Sequence, residues 1–399
     1  MSDLLRLLSQ SLPEIIGGLV VIAIVALLGW FGKLLSRRKK DRNSTVTGGR
    51  APSVSPQQRL KDKLDILHGL SNCPFALVGS VYLDVILRPI NTTKLGKDEW
   101  SSVGPIECAL GGSSLWVSRY LWRLYKKKSY LFSIKGKGND PFTKEFAKLI
   151  AHERHSWLRN RLISGPRNSR TAVTAHLVQP NDEFTTMFTH RGVLVGFGWS
   201  DIQKQLDKTL APGGVLYLSG YMKTFLYNGL QANLEMLLHN TLICVDHGRL
   251  VPGRFTDAGQ ALRSAFRQGL VDVYFCTYKE LLDLCRPSDE RLPYPDDAKA
   301  ALEELVGYGM LPIITVVRDN DFPGETKAYA IIEESVHPLK GKGGQSLLRD
   351  SVGPKNAFNA AMMYHLIRGA REDSLEELVI KAGKEALKSW YYARYFRWS

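Results

Sequence analysis

The sequence predicts an α/β protein with a mostly parallel sheet covered by helices on both faces, preceded by one transmembrane helix. From about residue 60, short apolar runs rich in β-branched residues alternate with longer helical patterns, which is typical of such a sheet. The 399 residues are 44% hydrophobic and 23% charged, so the chain can form a sizeable core. An uncharged apolar run near the start is followed by a basic stretch.

The apolar run "IIGGLVVIAIVALLGWFG", residues 15–32, is the evidence for a transmembrane helix. As a helix it would span about 27 Å, and Leu34 and Leu35 extend the segment to residues 15–35, close to the ~30 Å hydrocarbon thickness of a bilayer. The basic cluster "KLLSRRKK" follows the run. A cleaved signal peptide has its basic residues before the apolar run, so a retained single span is the better interpretation.

The position of the basic cluster also predicts topology, because Lys and Arg stay on the cytoplasmic side. We therefore expect a single-pass protein of the plasma or inner membrane, with the lipid bilayer as a partner. Residues 1–14 form a short outer tail, residues 36–60 a basic flexible linker, and residues 61–399 a cytoplasmic domain.

The net charge of +14 is concentrated in two segments. Residues 33–50 carry a net charge of +6, and residues 119–170 carry +11 with Trp122, Tyr125, Tyr130, Phe132 and Trp157 interleaved. The second composition is typical of a surface that binds nucleic acid or anionic membranes. On a chain predicted to be tethered to a bilayer, membrane contact or a solvated face is the simpler interpretation, and nucleic acid is not expected as a partner.

Neither the cysteines nor the histidines predict a metal site or a disulfide framework. The five cysteines are irregularly spaced without a C-x-x-C pair, and the histidines show no H-E-x-x-H pattern. We therefore expect no structural metal and thiols that are buried in a reducing compartment.

The domain itself is predicted from alternating strands and helices. The predicted strands are residues 74–87, 129–134, 171–178, 214–220, 240–247, 271–277 and 311–317. The predicted helices are residues 113–127, 141–153, 222–240, 255–269, 279–285 and 296–309, with further helices towards the C-terminus. Ligands of such sheets bind outside the carboxyl ends of the strands.

Five motifs occur in an order that is characteristic of one family. They are "GSVYLDVILRP" (79–89), "GGSSLWVSRYLWRLY" (111–125), "GKGNDPF" (136–142), "VDVYFCTYKELLDL" (271–284) and "DSVGPKNAF" (350–358). Through them the segment from about residue 72 to 390 resembles the PfkB, or ribokinase-like, family of sugar and nucleoside kinases. The resemblance implies a doubly wound sheet with a small β lid, a nucleoside or sugar-like ligand, and ATP with Mg²⁺ as possible cofactors. It also implies a possible homodimer through the lid strands near residues 85–110.

The resemblance assigns roles to individual positions. The substrate side comprises Asp84, Gly111, Gly112 and Asp140, although the two carboxylates are equally compatible with turn caps. The nucleotide and metal side comprises Thr277, Glu280 and Asp350. The anion hole for the transferred phosphate comprises Gly353 and Lys355.

The last motif departs from the family at the position of the catalytic base. Asn356 stands where the family has the aspartate that takes the proton of the substrate hydroxyl, and an amide cannot accept that proton. Pro354 removes an N–H, and Lys355 adds bulk and charge at a helix start that would otherwise bind an anion. Thr277 replaces the family asparagine of N-x-x-E, and Trp116 replaces another asparagine after the Gly-Gly pair. Arg318 stands near the nucleotide side, where a glycine-bearing turn is expected.

These departures predict a catalytically impaired, membrane-anchored kinase-like protein. It would bind a nucleotide, nucleoside, sugar-like ligand or protein partner as a sensor or scaffold. One alternative is an active ATP-dependent sugar or nucleoside kinase with a rearranged site. A second alternative is a basic, membrane-tethered nucleic-acid-binding module.

Overall fold

The structure is a computed structural model, and it describes most of the chain from residue 55 onwards. The described residues are 55–87, 106–153, 158–178, 185–219, 239–247, 256–285, 296–307, 311–319, 322, 326–341, 352–369 and 373–393. The chain divides into two units, Met1–Val54 and Ser55–Ser399. The predicted tail, the predicted transmembrane helix and nearly all of the predicted linker lie outside the described residues, as does most of the helix predicted over 222–240.

The prediction of a single-pass membrane protein needs correction. In the part of the chain that the structure describes, every helix is too short or too polar to cross a membrane. The segment on which the prediction was based, residues 15–35, does not belong to that part.

The helices include every predicted one except that over 222–240, most of which lies outside the described residues, and they are numbered in chain order. They are α1 (Pro56–Gly69), α2 (Ser113–Tyr125), α3 (Pro141–Glu153), α4 (Trp199–Leu210), α5 (Thr256–Arg267), α6 (Tyr278–Cys285), α7 (Ala298–Val306), α8 (Val352–Leu366) and α9 (Leu375–Ala393), with a 3₁₀ turn over Gly192–Gly196.

The strands include all the predicted ones and several others. They are β1 (Phe75–Gly79), β2 (Tyr82–Leu87), β3 (Glu107–Gly111), β4 (Ser129–Phe132), β5 (Ile134–Lys135), β6 (Leu158–Asn160), β7 (Ile163–Ser164), β8 (Val173–Val178), β9 (Thr185–His190), β10 (Gly214–Ser219), β11 (Thr241–Asp246), β12 (Val273–Cys276), β13 (Ile314–Arg318), β14 (Thr326–Ile332) and β15 (Ser335–Lys340).

A nine-stranded sheet forms the centre of the domain, in the order β15-β14-β13-β12-β11-β10-β1-β4-β6. The pairs from β13 to β6 are all parallel, whereas β14 and β15 are antiparallel additions at one end. The predicted mostly parallel sheet is therefore confirmed. The strand order reverses between β10 and β1, which is where ligands of open α/β sheets bind.

Two apolar layers cover the faces of this sheet. Alternate residues of β1 point to opposite faces, so that Phe75 and Leu77 belong to one core and Ala76 and Val78 to the other. Helices α1, α2, α8 and α9 pack in the first core. Helices α4, α5, α6 and α7 pack in the second.

A smaller sheet of the order β3-β2-β8-β9 corresponds to the predicted lid. The sequence predicts one continuous strand over residues 74–87, but the chain leaves the large sheet after Gly79 and enters the small sheet at Tyr82. The break arises because β1 pairs with β4 and β10, whereas β2 pairs with β3 and β8.

Helix α1 begins at Pro56, five residues before the predicted start of the domain at residue 61. Ser55 caps it, since its Oγ accepts a hydrogen bond from Gln58 N at 3.2 Å, and proline is favoured in the first turn. On its buried side, Lys63 Nζ lies 2.9 and 2.8 Å from the two carboxylate oxygens of Asp272. This buried ion pair joins α1 to the start of β12.

Candidate functional site

Four polar side chains meet where the carboxyl ends of the central strands face helix α8. Tyr217 comes from β10, Asp246 and Arg318 are the last residues of β11 and β13, and Asn359 lies on α8. All four are buried. The site therefore lies at the edge of the sheet where this architecture binds its ligands.

Asp246 is the common partner in this cluster. Its Oδ2 accepts hydrogen bonds from Tyr217 Oη at 2.8 Å and from Asn359 Nδ2 at 3.1 Å. Its Oδ1 accepts a hydrogen bond from Arg318 Nη2 at 3.0 Å. Three donors thus compensate the burial of this carboxylate, which would otherwise be costly.

Arg318 is held in a fixed orientation. Besides its bond to Asp246, its Nη1 donates to the carbonyl oxygen of Cys276 at 3.4 Å, and its guanidinium carbon lies 5.6 Å from the ring centroid of Phe275. Burial alone would lower the pKa of Arg318, but the charge of Asp246 raises it above its ordinary value. Arg318 is therefore a permanent cation in the cleft.

Glu280, at the start of α6, interacts electrostatically with Asp246 and Arg318. Its Oε2 accepts a hydrogen bond from Thr277 N at 2.8 Å, and Glu280 N donates to Thr277 Oγ1 at 3.2 Å. This reciprocal pair is a capping box. Burial raises the pKa of Glu280, as does the charge of Asp246, whereas Arg318 and Lys355 act in the opposite direction. The structure therefore joins Thr277 and Glu280 by hydrogen bonds, with the charge of Lys355 close enough to act on Glu280.

Helix α8 carries the predicted phosphate-binding turn. It begins at Val352, so that Gly353 and Pro354 lie in its first turn, and Lys355 is half-buried. Asn356 is only 2% exposed, so the first turns of α8 hold a buried, neutral amide. Asp350, the remaining predicted residue of this loop, lies outside the described residues.

The predicted substrate residues of the lid also come together. Asp84 on β2 lies beside Gly111 on β3, where an added Cβ would be 1.9 Å from Asp84 Oδ2. Only a glycine allows this close approach. Asp84 Oδ1 lies 3.2 Å from His176 Nε2 on the neighbouring strand β8. Gly112 follows with φ 110°, and an added Cβ would be 2.1 Å from the carbonyl oxygen of Ser80.

Asp140 has a local structural role. Its Oδ1 accepts a hydrogen bond from Thr143 N at 3.0 Å and its Oδ2 accepts one from Thr143 Oγ1 at 2.8 Å. Burial raises the pKa of Asp140, but the hydrogen bonds together outweigh it and keep this pKa below its ordinary value. Asp140 is thus the cap of α3, as one of the two interpretations predicts, and a ligand role is not needed to explain it.

Trp116 lies in the large core on α2, 7% exposed, with the guanidinium of Arg119 4.6 Å from its ring centroid.

Sequence reasoning did not single out Tyr217, Asp246, His176 or Asn359. The signal for Asp246 was its position directly after a continuous apolar strand. His176, on the lid strand β8, could only be found from strand pairing.

Among the described residues, the donor set offers few free oxygens to a magnesium ion. Mg²⁺ requires several free oxygen ligands. Among the described residues, no three His, Cys, Asp or Glu side chains are grouped so that they could hold a metal ion. The oxygens of Asp246 accept three hydrogen bonds from protein groups, and Oε2 of Glu280 accepts one from Thr277 N.

Comparison with known proteins identifies the fold. No protein-family model matches the sequence, and no curated protein sequence is similar to it. Among solved structures, adenosine kinase from Sinorhizobium meliloti matches with a TM-score of 0.58 at 15% identity, over 80% of this chain and 93% of that one. Ribokinase from Giardia lamblia matches with a TM-score of 0.60 at 13% identity, over 80% of this chain and 92% of that one. Phosphofructokinase-2 from Escherichia coli in complex with fructose-6-phosphate matches with a TM-score of 0.56 at 18% identity, over 80% of this chain and 99% of that one.

The chain has the ribokinase-like α/β fold. At these identities the comparisons concern the fold alone, since one fold can carry unrelated functions. The residues of the site must therefore support any statement about function.

Proposed function

We propose that this chain binds a small hydroxylated ligand, of the sugar or nucleoside class, in the cleft between the lid and the large sheet, and that it does not transfer phosphate efficiently. The matched structures include an adenosine kinase, a ribokinase and a phosphofructokinase-2 in complex with fructose-6-phosphate, which motivates the ligand class. The observation that carries the proposal is Asn356, a buried amide in the first turns of α8.

Phosphoryl transfer in this fold would require a proton acceptor at the substrate hydroxyl and donors that position the phosphate. Asn356 cannot accept the proton. Pro354 has no N–H to donate to a phosphate oxygen. Both functions of the turn are therefore weakened by residues that are adjacent in the sequence.

The charges of the cleft support the same interpretation. A cation near a helix N-terminus is unfavourable unless an anion compensates it. The carboxylate of Glu280 interacts with Lys355, and that of Asp246 is paired with Arg318. The positive groups that could have stabilised a transferred phosphate thus already have protein anions near them. Binding without turnover is suited to a sensor or a scaffold.

The experiment uses the full chain and compares binding with turnover. Adenosine, ribose and fructose 6-phosphate are tested by thermal shift and calorimetric titration, each with and without Mg²⁺–ATP. We expect at least one of them to raise the melting temperature, with no ligand-dependent ADP formation. ADP formation by the wild-type chain would overturn the absence of transfer, and no binding of any probe would overturn the ligand class.

The Asn356→Asp variant tests the role of the amide directly. If the cleft is otherwise intact, the new carboxylate should give ligand-dependent ADP formation. Asn168→Asp, at an exposed position, is the matched control and should leave ADP formation at the wild-type level.

The second candidate is an active kinase that uses another base. Glu280 favours it, because its raised pKa is a property of many general bases. In that case the wild-type chain forms ADP, and Glu280→Gln abolishes this activity while ligand binding persists.

A further inference from the structure

The geometry points to a binding surface for single-stranded nucleic acid on the outer edge of the large sheet. We call it the β4–β6 edge. Its side chains are Lys128, Tyr130, Lys137, Arg159, Arg161 and Arg170. It differs from the cleft in position and chemistry, and it does not depend on the function proposed for the cleft.

An aromatic ring with two guanidinium groups forms the centre of this surface. Tyr130 on β4 pairs in register with Arg159 on β6, which is the last strand of the sheet. The guanidinium carbons of Arg159 and Arg161 lie 5.0 and 5.7 Å from the centroid of the Tyr130 ring. Arg159 Nη1 also donates a hydrogen bond to Tyr130 Oη. Both arginines are exposed, and Tyr130 is partly so.

The positive charge of this surface is not compensated by nearby carboxylates. Residues 126–140 and 158–170 contain nine Lys and Arg and a single acid, Asp140. The carboxylate of Asp140 is taken up by Thr143. Within the described part of the chain, no carboxylate pairs with Arg159 or Arg161. A polyanion would relieve the repulsion among these cations and release its own counterions.

The cations follow a line rather than a round patch. The pairing of the two chain segments continues beyond β6, because Ile163 N donates to Ser133 O at 2.9 Å and Gly165 N to Lys135 O at 2.8 Å. Lys137 N then donates to Ser169 O at 2.9 Å, which brings Lys137 next to Arg170. Strands β4 and β5 cover residues 129–135 with one residue between them, and at about 3.3 Å per residue this stretch extends over roughly 20 Å. This length suits several nucleotides of an extended strand.

The aromatic and guanidinium groups favour single-stranded nucleic acid over the other polyanions. Unpaired bases stack on aromatic rings and on guanidinium planes, whereas the bases of a duplex are already stacked on one another. A membrane surface would instead favour exposed apolar side chains that insert into it. Among the exposed large apolar residues of the described chain, which are Ile66, Ile106, Phe142, Phe188 and Val195, none lies on β4 or β6.

The test measures fluorescence anisotropy of the full chain with a labelled 20-nucleotide RNA and the DNA of the same sequence, from low to moderate salt. We expect binding that weakens steeply with salt. The double variant Arg159→Gln/Arg161→Gln should bind at least tenfold more weakly and reduce the slope of log K against log salt by about 1.4, at ~0.7 per lost phosphate contact on a single strand.

Tyr130→Leu separates stacking from charge. It should weaken binding by roughly 5- to 150-fold, the loss of one stacked base, and leave the salt slope unchanged. The matched control is Lys204→Gln/Lys208→Gln on the exposed face of α4, which removes the same charge elsewhere and should leave affinity within twofold. Circular dichroism and the melting temperature of each variant show that it is folded.

Three outcomes would overturn the proposal. If no nucleic acid binds at low salt, the arginines only protect the sheet edge from pairing with other chains. If the matching duplex binds as tightly as the single strand, the surface does not read unpaired bases. If heparin or phosphatidylserine vesicles bind as tightly and Tyr130→Leu has no effect, the surface is a general polyanion or lipid site.

Discussion

Arg318 Nη2 lies 3.0 Å from Asp246 Oδ1, and both side chains are almost fully buried at the carboxyl ends of strands β13 and β11. The two charges are neutralised inside the cleft, by a contact between residues that are 72 positions apart. The guanidinium also reaches the carbonyl oxygen of Cys276. A single side chain thus ties together three neighbouring strands of the sheet.

We expect Arg318→Lys to lower the free energy of unfolding by about 1.5–3 kcal/mol, the usual contribution of hydrogen bonds to charged groups. A lysine keeps the charge but cannot reproduce the planar fork that contacts Asp246, Cys276 and the ring of Phe275. Urea denaturation of both proteins measures the difference. Arg167→Lys, at an exposed position, is the control and should change stability by less than about 0.5 kcal/mol.

The buried pair of Lys63 and Asp272 leads to a second prediction. Lys63→Met leaves the Asp272 carboxylate buried without its cation, and we expect a loss of about 3–5 kcal/mol in urea denaturation. Burial already raises the pKa of Asp272 despite the opposing charge of Lys63. Adding Asp272→Asn should recover most of the loss, because the amide oxygen can still accept the hydrogen bond that Ile243 N donates at 2.8 Å.

One comparison could contradict this prediction, and a second provides a reference value. If the double variant is as unstable as Lys63→Met, the loss of stability arises from the packing of the lysine side chain and not from the unpaired, buried carboxylate of Asp272. The exposed pair of Lys299 and Glu303, 3.3 Å apart with both side chains 51% exposed, gives the reference. There Lys299→Met should cost no more than about 0.5 kcal/mol.

The large sheet could be predicted because its evidence is local. Strands β10 and β11 are buried at every position, and such strands read as continuous apolar runs. The hairpin of β14 and β15 was not predicted because it mixes polar and apolar residues. Its turn also contains Glu333 with φ 59°, and a positive φ at a glutamate is not predictable from the sequence.

The candidate site was predictable only in part. The motif at the start of α8 directed attention to Asn356 and Lys355, and the resemblance to N-x-x-E directed attention to Thr277 and Glu280, whose capping box was not predicted. The cluster around Asp246 was not, since Asn359 and Tyr217 are 142 residues apart and neither belongs to a motif with an assigned role. Contacts of this separation depend on the topology of the sheet and not on local sequence.

The glycine at the start of α2 gives a third prediction. Gly112 has φ 110°, and an added Cβ would meet the carbonyl oxygen of Ser80 at 2.1 Å. Gly112→Ala should therefore cost more than the ~1–3 kcal/mol of an unfavourable backbone conformation alone. Gly196→Ala is the control, because no atom lies within 4 Å of the added Cβ, and it should change the free energy of unfolding by less than about 0.5 kcal/mol. Equal effects of the two substitutions would show that the contact with Ser80 is not restrictive.

The raised pKa of Glu280 predicts a pH dependence of stability with a definite sign. Burial and the charge of Asp246 raise this pKa above its ordinary value of 4.5, so that protonated Glu280 favours the folded state. Its contribution is present below pH 4.5 and is lost as the pH rises through the folded-state pKa. We therefore expect wild type to lose stability relative to Glu280→Gln as the pH increases from 4.5 to 7. Glutamine preserves the capping box.

Asp140 provides a comparison of opposite sign, since its hydrogen bonds with Thr143 keep its pKa below the ordinary value of 3.8. Its contribution is present above pH 3.8 and is lost as the pH falls through the lowered folded-state pKa. Wild type should therefore lose stability relative to Asp140→Asn only in acid, in urea denaturation series run from pH 2.5 to 7. For Glu280 the contradicting result is a difference in the free energy of unfolding between wild type and Glu280→Gln that stays constant between pH 4.5 and 7. It would show that burial and the charge of Asp246 do not raise the pKa of Glu280.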